Sequence, residues 1–273
     1  MFLRKSFTAA LALPALASPA LAELPHDWQL GMQPAATPVM VQIEDFHRLL
    51  LYIIIGICLF VLALLIWVMV RYNHRANPVP SRTHHNTLLE VAWTLIPVII
   101  LVLIAIPSFR LLYFEAAIPK PDVTVEAIGK QWFWTYAFPK DGNFQFDSYM
   151  LQDAAAAKAH EPRLLGVDNP LYVPVNKVVE VDTTGADVIH SWSVPAFGVK
   201  MDAVPGRINH TWFKATRLGT YYGQCSQLCG ANHAYMPIEV KVVTQAEYDA
   251  WLAKAKKKYA ANETPDALRV AAQ

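Results

Sequence analysis

Two long apolar runs lie in the first half of the chain, at residues 49–70 and 91–109, and neither contains Asp, Glu, Lys or Arg. Each has close to the roughly 20 apolar residues that a helix needs to cross the hydrocarbon core of a bilayer. Two such runs joined by a short polar segment predict a transmembrane hairpin. A buried helical hairpin in a soluble protein is the alternative, and two uncharged runs of this length argue against it.

The segment between the runs fixes the predicted orientation of the hairpin. It carries Arg71, Arg75 and Arg82, and acids are absent until Glu90 at its end. The positive-inside rule places such a segment in the cytoplasm. Both ends of the mature chain are then expected on the exported side.

The N-terminus agrees with export. Arg4 and Lys5 precede an apolar stretch that ends in the small-residue sequence Ala-Leu-Ala, which predicts a signal peptide over residues 1–22, cleaved after Ala22. A membrane anchor is the alternative. Two prolines interrupt the stretch, however, and it is short for a membrane span.

Beyond Pro119 the pattern changes to short β-rich runs separated by Pro, Gly and Asp or Asn, which predicts an antiparallel β-sandwich or barrel. The runs are residues 123–128, 131–136, 178–182, 209–213, 220–224 and 238–243. Residues 245–258 then place apolar side chains at helical spacing, which predicts a terminal helix followed by a tail. The alanine run at 154–157 is expected to be an exposed loop.

Composition supports a membrane protein, since the 273 residues are 54% hydrophobic and only 16% charged. The net charge is +1, and no extended basic run is visible. Nucleic acid is therefore not an expected partner.

Candidate chemistry is concentrated in the sequence CSQLCGANHAYMP at residues 225–237. It offers the thiols of Cys225 and Cys229, the imidazole of His233 and the thioether of Met236. Thiolates and thioethers favour copper, imidazole also suits it, and the lack of a carboxylate argues against Mg²⁺ or Ca²⁺. His190, in the strand-like sequence VIHSW, is the best candidate for a further ligand.

Three kinds of site remain open from the residues themselves. Two thiolates can bridge a pair of copper ions, whereas a mononuclear blue-copper site needs only one Cys. A Cys₂His₂ zinc site is a competitor, although it leaves Met236 unexplained. A disulfide between Cys225 and Cys229 is common for paired cysteines in exported proteins.

The sequence GQCSQLCGANHAYMP at 223–237 resembles the Cu(A) signature of the cytochrome c oxidase subunit II family, with His190 upstream as in that family. Further similar sequences are GKQWFW at 129–134, DAVPGR at 202–207, EVAWT at 90–94 and PSFR at 107–110. The resemblance covers about residues 42–243. It implies an N-terminal two-helix transmembrane hairpin plus an all-β cupredoxin-like Greek-key sandwich domain, with a short C-terminal helix.

The resemblance also implies a division of the chain. The expected parts are a signal peptide at 1–22, a periplasmic N-terminal segment at 23–43, the transmembrane hairpin at 44–118, the periplasmic Cu(A) domain at 119–245, and a C-terminal helix and tail at 246–273. The protein is then expected in the bacterial inner membrane with two spans, and with its N-terminus and copper domain in the periplasm.

By the same resemblance, Cys225 and Cys229 bridge two copper ions. His190 and Met236 complete one ion, and His233 with the backbone carbonyl of Gln227 completes the other. Many members of the family have Glu where Gln227 stands, and that side chain reaches a Mg²⁺ at the boundary with subunit I. An amide oxygen can also bind a hard cation, but without the charge.

Four further residues match functional positions of the family. Trp132 corresponds to the electron-entry residue, although a tryptophan in a β-rich segment is more often a core residue. Glu90 corresponds to a carboxylate at the mouth of a proton channel in subunit I, but a helix-start charge favoured by the helix dipole is the simpler interpretation. Asp168 and Asp187 correspond to acids that attract cytochrome c.

The function implied is transfer of electrons from cytochrome c through Cu(A) to the haem of subunit I, for O₂ reduction coupled to proton translocation. Expected partners are subunit I with its haems and Cu(B), subunit III, cytochrome c and membrane lipid. A copper chaperone and a copper-free quinol oxidase subunit are the alternatives, and the complete ligand set argues against the second. The sequence has no Cys-x-x-Cys-His haem attachment, so a separate electron donor is expected.

Overall fold

Both apolar runs form long helices in the computed structural model, which describes residues 24–259. Helix α1 spans Pro38–Arg71 and α2 spans Thr87–Ala116, so at 1.5 Å per residue each is about 45–50 Å long. Both are long and apolar enough to cross a membrane, and their apolar side chains are largely exposed. The predicted signal peptide and the tail beyond 259 lie outside the described residues.

Helix α1 begins inside the β domain rather than at the membrane. The Thr37 side chain caps the helix by accepting from the Met40 N–H, and it donates to the Phe197 carbonyl at 2.7 Å. Val39 and Met40 are buried. The helix therefore starts at Pro38, ahead of the expected hairpin boundary at 44, because its first turn is satisfied by the domain.

The end of α2 is also attached to the β domain. The Trp212 indole N–H donates to the Glu115 carbonyl at 3.0 Å, and the Trp212 ring meets Phe114 edge to face at 5.6 Å. Both membrane-length helices are therefore in direct contact with the β domain.

Ten strands form the β domain. They are β1 Val123–Lys130, β2 Phe133–Phe138, β3 Phe144–Ser148, β4 Leu171–Pro174, β5 Val179–Gly185, β6 His190–Val194, β7 Val199–Ala203, β8 Asn209–Phe213, β9 Gly219–Gln224 and β10 Pro237–Val243. One sheet has the order β3-β2-β1-β5-β8, a second has β4-β10-β9, and β6 pairs with β7. The predicted all-β sandwich is confirmed, with β3, β4 and β7 missing from the sequence prediction, while β6 overlaps the strand-like sequence around His190.

The expectation of a purely antiparallel sandwich is wrong. Strand β1 pairs in parallel with β5, and β10 pairs in parallel with β4, while the other ladders are antiparallel. Parallel strands that pair need a long crossover connection, so they are distant in sequence. No turn motif therefore predicts their pairing.

The core between the sheets is strongly aromatic. Trp134, Tyr136, Trp192 and Phe213 are all fully buried, and the Trp192 indole N–H donates to the Tyr136 hydroxyl at 3.3 Å. Trp134 and Trp192 are thus packing residues of the sandwich. This aromatic core lies next to the loop at residues 225–236, where the Trp134 indole N–H is 3.4 Å from the Met236 carbonyl.

Two helices complete the domain. Helix α4, Gln245–Tyr259, confirms the predicted terminal helix and packs through Trp251, which stacks on Tyr172 at 5.2 Å. The alanine run expected to be a loop lies instead in helix α3, Asp153–Ala159. Alanine has the highest helix propensity, and the Asp at the start and the Lys near the end of α3 suit the helix dipole.

Candidate metal centre

Four of the five predicted side-chain ligands lie in one loop, residues 225–236, which connects β9 to β10 and also contains Gln227. These strands are antiparallel neighbours, and Gln224 pairs with Pro237 at the base of the loop. The two ends of the loop are therefore held together. Gly230 within it has φ +120°, and a Cβ there would lie 3.1 Å from the Trp132 ring. Only glycine suits this conformation and this close approach.

His190 reaches the same place from the start of β6. Its Nδ1 lies 4.0 Å from the Cys225 Sγ, and the backbone N–H of Ser226 donates to the Ser191 carbonyl at 3.0 Å. Gly129 makes room for the ring, because a Cβ at that position would lie 2.7 Å from imidazole atoms. The structure thus brings the fifth predicted side-chain ligand to the loop.

The donor atoms form one cluster around the Cys229 sulfur. Its Sγ lies 3.9 Å from the Cys225 Sγ, 3.5 Å from the Met236 Sδ and 3.5 Å from the His233 Nδ1. The Gln227 carbonyl oxygen is 3.3 Å from the Cys225 Sγ. The thiols are not joined, since a disulfide bond is about 2.05 Å long. Sulfurs 3.9 Å apart can both lie about 2.3 Å from one ion, as metal–thiolate bonds require.

The cluster is closed to solvent on most sides. His190, Cys225, Cys229 and Met236 are buried, and His233 is half-buried. The donor atoms of His190, Cys225 and Cys229 all lie within 4.8 Å of one another. Such a set of soft donors away from water fits copper, the metal predicted from the sequence.

The two thiols differ in acidity. Burial by itself would raise both pKa values. At Cys225, hydrogen bonding to His190 and to the backbone of Gln227 and Ser191 outweighs burial and lowers the pKa to about 7. At Cys229, burial and the neighbouring Cys225 charge raise the pKa to about 12. Both sulfurs can therefore be thiolates at neutral pH only when bound cations offset their charge.

Asp187, predicted to be a docking acid, forms hydrogen bonds within the metal site instead of being a free surface carboxylate. Its Oδ1 accepts from the His190 Nε2 at 2.8 Å, and its Oδ2 accepts from the Gln131 backbone N–H at 2.7 Å. These hydrogen bonds outweigh burial and keep the pKa of Asp187 below its usual value. The contact leaves the His190 Nδ1 to face the sulfurs, the usual arrangement of a carboxylate behind a metal-ligating histidine. Sequence reasoning missed this role.

Trp132 lies in a turn, not in the predicted strand at 131–136. Lys130 pairs with Phe133, so Gln131 and Trp132 form the two-residue connection between β1 and β2. The indole N–H donates to the Cys229 carbonyl at 3.2 Å, and the Gln131 side-chain amide donates to the same oxygen at 2.8 Å. The half-buried indole thus touches the metal-ligating loop and also reaches the surface.

An aromatic surface continues outward from Trp132. Phe133 and Tyr149 stack at 4.3 Å, and Tyr235 is about half exposed. Together with Trp132 they line a broad depression. Asp168, predicted to be a docking acid, is exposed, and its Oδ1 accepts from the Tyr149 backbone N–H at 2.8 Å. It therefore lies beside this surface.

Glu90 lies in the first turn of α2, at the opposite end of the helix from the residues that contact the β domain. There its Oε1 lies 2.8 Å from the His85 Nδ1 and 3.4 Å from the Asn86 backbone nitrogen. These contacts suit a helix start, as the simpler interpretation of Glu90 expects. The structure does not bring Glu90 to the metal centre, and His85 is a neighbour that the sequence pattern gave no reason to single out.

The fold and the site together define the class of protein to which this chain belongs. A buried set of thiols, imidazoles and a thioether closes one end of a β-sandwich, and two membrane-length helices carry that sandwich. This is a membrane-anchored protein with a cupredoxin-like metal-binding domain.

Comparison with known proteins names the family. The family descriptions "Cytochrome C oxidase subunit II, periplasmic domain" and "Cytochrome C oxidase subunit II, transmembrane domain" match residues 123–243 and 25–111. The chain is 46% identical to the probable cytochrome c oxidase subunit 2 of Rickettsia bellii over 96% of this chain and 97% of that protein. It is 45% identical to cytochrome c oxidase subunit 2 of Cereibacter sphaeroides over 85% of this chain and 82% of that protein.

A solved structure is also similar, the periplasmic domain of subunit II of cytochrome oxidase from Bradyrhizobium japonicum. It shares 57% identity and covers 52% of this chain and 99% of its own length, with a TM-score of 0.49. The chain belongs to the cytochrome c oxidase subunit II family. It is therefore a cytochrome c oxidase subunit II, with two helices long and apolar enough to span a membrane.

Proposed function

We propose that this chain is the electron-entry subunit of its oxidase. It accepts electrons from cytochrome c at a binuclear Cu(A) centre and passes them to the haem of subunit I, where O₂ is reduced to water with proton translocation. The observation that carries the proposal is the cluster of five side-chain donors, four of them buried, which includes two unbonded thiols 3.9 Å apart. A one-copper or one-zinc site leaves at least one of these donors without a role.

Two copper ions bound here would store one electron shared through both sulfurs. In this proposal Cys225 and Cys229 would bridge the two ions, and the other ligands would divide as the family resemblance implies. His190 and Met236 would serve one ion, and His233 with the Gln227 carbonyl would serve the other. The Cys229 sulfur lies 3.5 Å from both the His233 Nδ1 and the Met236 Sδ, so it is close to a proposed ligand of each ion.

The surroundings favour electron transfer over metal exchange. Asp187 holds the His190 ring, and the Trp134 indole N–H lies 3.4 Å from the Met236 carbonyl, above a packed aromatic core. Ligands fixed in this way move little when the charge of the centre changes. A copper chaperone must instead release its metal, and release is disfavoured because four of the five side-chain donors, all except His233, are at most 6% exposed.

Electron entry is assigned to Trp132. Its indole bridges the exposed aromatic depression and the Cys229 carbonyl, so it offers a short path from a docked cytochrome c to a bridging ligand. Asp168 at the edge of the depression would steer the basic face of cytochrome c. Asp187 would contribute to that field, although its oxygens are occupied by His190 and the Gln131 turn.

A magnesium site at the boundary with subunit I is proposed through Gln227. Its side chain is exposed at the tip of the loop, while its carbonyl oxygen points toward the Cys225 sulfur. One residue could therefore serve both metals. A neutral amide supplies one oxygen without charge, so a ligand set from subunit I would have to complete the site.

The location and processing of the chain follow from the same proposal. We place it in the bacterial inner membrane, with the N-terminal segment 23–43 and the Cu(A) domain 119–245 on the periplasmic side of the hairpin 44–118. The basic connection between α1 and α2 is then cytoplasmic. Cleavage of the signal peptide after Ala22 and association with subunit III complete the proposed assembly.

Glu90 is proposed as the carboxylate at the mouth of a proton channel in subunit I. Replacing Glu90 by alanine should slow proton-coupled turnover while leaving the reduction of copper by cytochrome c intact, because the two steps occur at opposite ends of α2. Steady-state O₂ consumption and stopped-flow copper reduction measure the two steps separately.

Glu90→Gln is the matched control, because the amide keeps an acceptor for the Asn86 N–H but cannot carry the proton. Slow turnover in both variants supports the proton role. Equal slowing of both steps by Glu90→Ala would indicate a helix-start defect instead.

The proposed function is tested by metal analysis and electron paramagnetic resonance of the full chain in its oxidase complex, with a copper-free preparation as control. Two copper ions per chain in this subunit sharing one unpaired electron are expected. One zinc ion, a single copper with a localised electron, or a disulfide without metal would each overturn the proposal.

A further inference from the structure

Gln131 lies in the turn between β1 and β2 and contacts two of the segments that carry the metal ligands. Its side-chain amide donates to the Cys229 carbonyl at 2.8 Å. Its backbone N–H donates to the Asp187 Oδ2 at 2.7 Å, and the other oxygen of that carboxylate accepts from the His190 Nε2 at 2.8 Å. One residue therefore connects the metal-ligating loop with the carboxylate behind His190.

The Cys229 carbonyl accepts two hydrogen bonds from this turn. A carbonyl oxygen has two lone pairs, and here one accepts from the Gln131 amide at 2.8 Å and the other from the Trp132 indole N–H at 3.2 Å. The bond to the amide is the shorter of the two. Because the donors belong to consecutive residues, the amide also holds the backbone that carries the indole.

The turn and the metal-ligating loop are in direct contact next to this carbonyl. A Cβ at Gly230 would lie 3.0 Å from the Gln131 Nε2 and 3.1 Å from a carbon of the Trp132 ring. A larger residue at this position would therefore displace the amide or the indole. This close packing is separate from the hydrogen bonds, and it too places both side chains against the loop.

Gln131 as a whole is exposed, which separates its effect on position from its effect on stability. A hydrogen bond at an exposed position replaces one to water, so its net contribution to folding is small. Fixing a glutamine side chain also costs rotamer freedom. Removing the amide should therefore leave the domain folded, and the main consequence is the loss of contact with the loop.

We propose that Gln131 is a positioning residue for electron entry. The backbone bond to Asp187 fixes the start of the side chain, and the amide holds the turn on the Cys229 carbonyl, so the Trp132 indole stays in contact with a bridging cysteine. A displacement of about 1 Å between reacting groups can cost about 100-fold in rate. The inference rests on the proposed function, because it needs electrons to enter a bridged copper centre through Trp132.

Three substitutions vary the hydrogen-bond donor and the charge of Gln131 independently. Gln131→Met removes the donor at similar length without adding charge. Gln131→Glu removes the donor and adds a negative charge, whereas Gln131→Lys keeps N–H donors and adds a positive charge. All three keep the backbone N–H to Asp187, so the support of His190 is the same in each.

The measurement is stopped-flow reduction of the full oxidase complex by cytochrome c, across a series of cytochrome and salt concentrations. The rate within the complex should fall by about tenfold in Gln131→Met and Gln131→Glu, as the loss of a supporting hydrogen bond typically costs, and stay near wild type in Gln131→Lys. Association should follow charge instead, because Gln131 lines the depression proposed to bind cytochrome c. It should be stronger in Gln131→Glu and weaker in Gln131→Lys, with both differences lost at high salt.

Gln245→Met is the matched control for the loss of a glutamine donor. Gln245 is exposed on the terminal helix and donates to the Asp249 carboxylate at 2.9 Å, so the control loses a similar hydrogen bond outside the metal site. Its association and its rate within the complex should equal those of the wild type.

Electron paramagnetic resonance of each protein separates the possible failures. A wild type without the signal of two copper ions sharing one electron would overturn the proposed function and this inference with it. Where that signal is present, a native rate within the complex in both Gln131→Met and Gln131→Glu would overturn this inference alone. A rate in Gln131→Lys as slow as in Gln131→Met, or loss of copper in both donor-free variants, would also overturn it.

Discussion

Replacing either Cys225 or Cys229 by serine is expected to abolish the binuclear copper signal. A hydroxyl is a hard and weakly acidic ligand, and a single remaining thiolate cannot bridge two ions symmetrically. Reduction by cytochrome c should fall by about 100-fold or more, since the loss of a direct ligand exceeds the effect of a supporting residue. Electron paramagnetic resonance and stopped-flow reduction of the intact oxidase measure both consequences.

Two variants serve as controls for the cysteine substitutions. Cys58→Ser makes the same chemical change on α1, away from the metal centre, and should leave the copper signal unchanged. Met236→Leu removes a weak ligand while keeping both thiolates, so copper should remain bound with an altered reduction potential. Unchanged spectra in both Cys225→Ser and Cys229→Ser would rule out the bridging assignment.

Replacing Trp132 by alanine should separate electron entry from electron storage. Copper content and spectrum are expected to stay near wild type, because Trp132 is not a ligand and the Gln131 amide still donates to the Cys229 carbonyl. Reduction by bound cytochrome c should slow by about 100-fold, as the loss of close contact between reacting groups typically costs. Binding affinity should change less. Stopped-flow reduction at saturating cytochrome c, followed across a salt series, measures these effects.

The matched comparisons are Trp132→Phe and Asp168→Asn. The phenyl ring keeps an aromatic side chain in the turn and should restore part of the rate. Asp168→Asn should weaken association in a salt-dependent way and leave the rate within the complex nearly unchanged, because an exposed acid acts through steering. Loss of copper or unfolding in Trp132→Ala would favour a structural role for the indole, and a native rate would end its assignment to electron entry.

Because Asp187 forms hydrogen bonds within the metal site, its substitution tests more than the docking of cytochrome c. Asp187→Asn removes a negative charge from the surface proposed to bind cytochrome c. It also replaces the carboxylate that accepts from the His190 Nε2. A change in the copper spectrum is therefore expected together with any change in salt dependence. Asp168 is the cleaner probe of docking, because its hydrogen bond is to the Tyr149 backbone and not to a copper ligand.

Much of the architecture could be predicted because its signals are local. The two apolar runs, the terminal helix and six of the strands each depend on composition and periodicity within about 25 residues. The prediction of a loop at the alanine run was wrong, because alanine has a high helix propensity and the segment forms α3. Strands β3, β4 and β7 were not predicted, and the pairing of strands could not be predicted either, since it depends on contacts distant in sequence.

The sequence by itself placed the candidate donors Cys225, Cys229, His233 and Met236 within twelve positions, and their types favour copper while leaving zinc and a disulfide open. A closed loop between neighbouring strands then brings such donors together with little freedom. The contacts between segments distant in sequence were decided by the tertiary structure alone. Asp187 turned out to hold His190, Trp132 to contact the Cys229 carbonyl, and three strands to gather Glu126, Asp182 and His210 on one face. Each of these contacts joins distant segments, and which segments meet is fixed by strand order and register rather than by any local pattern.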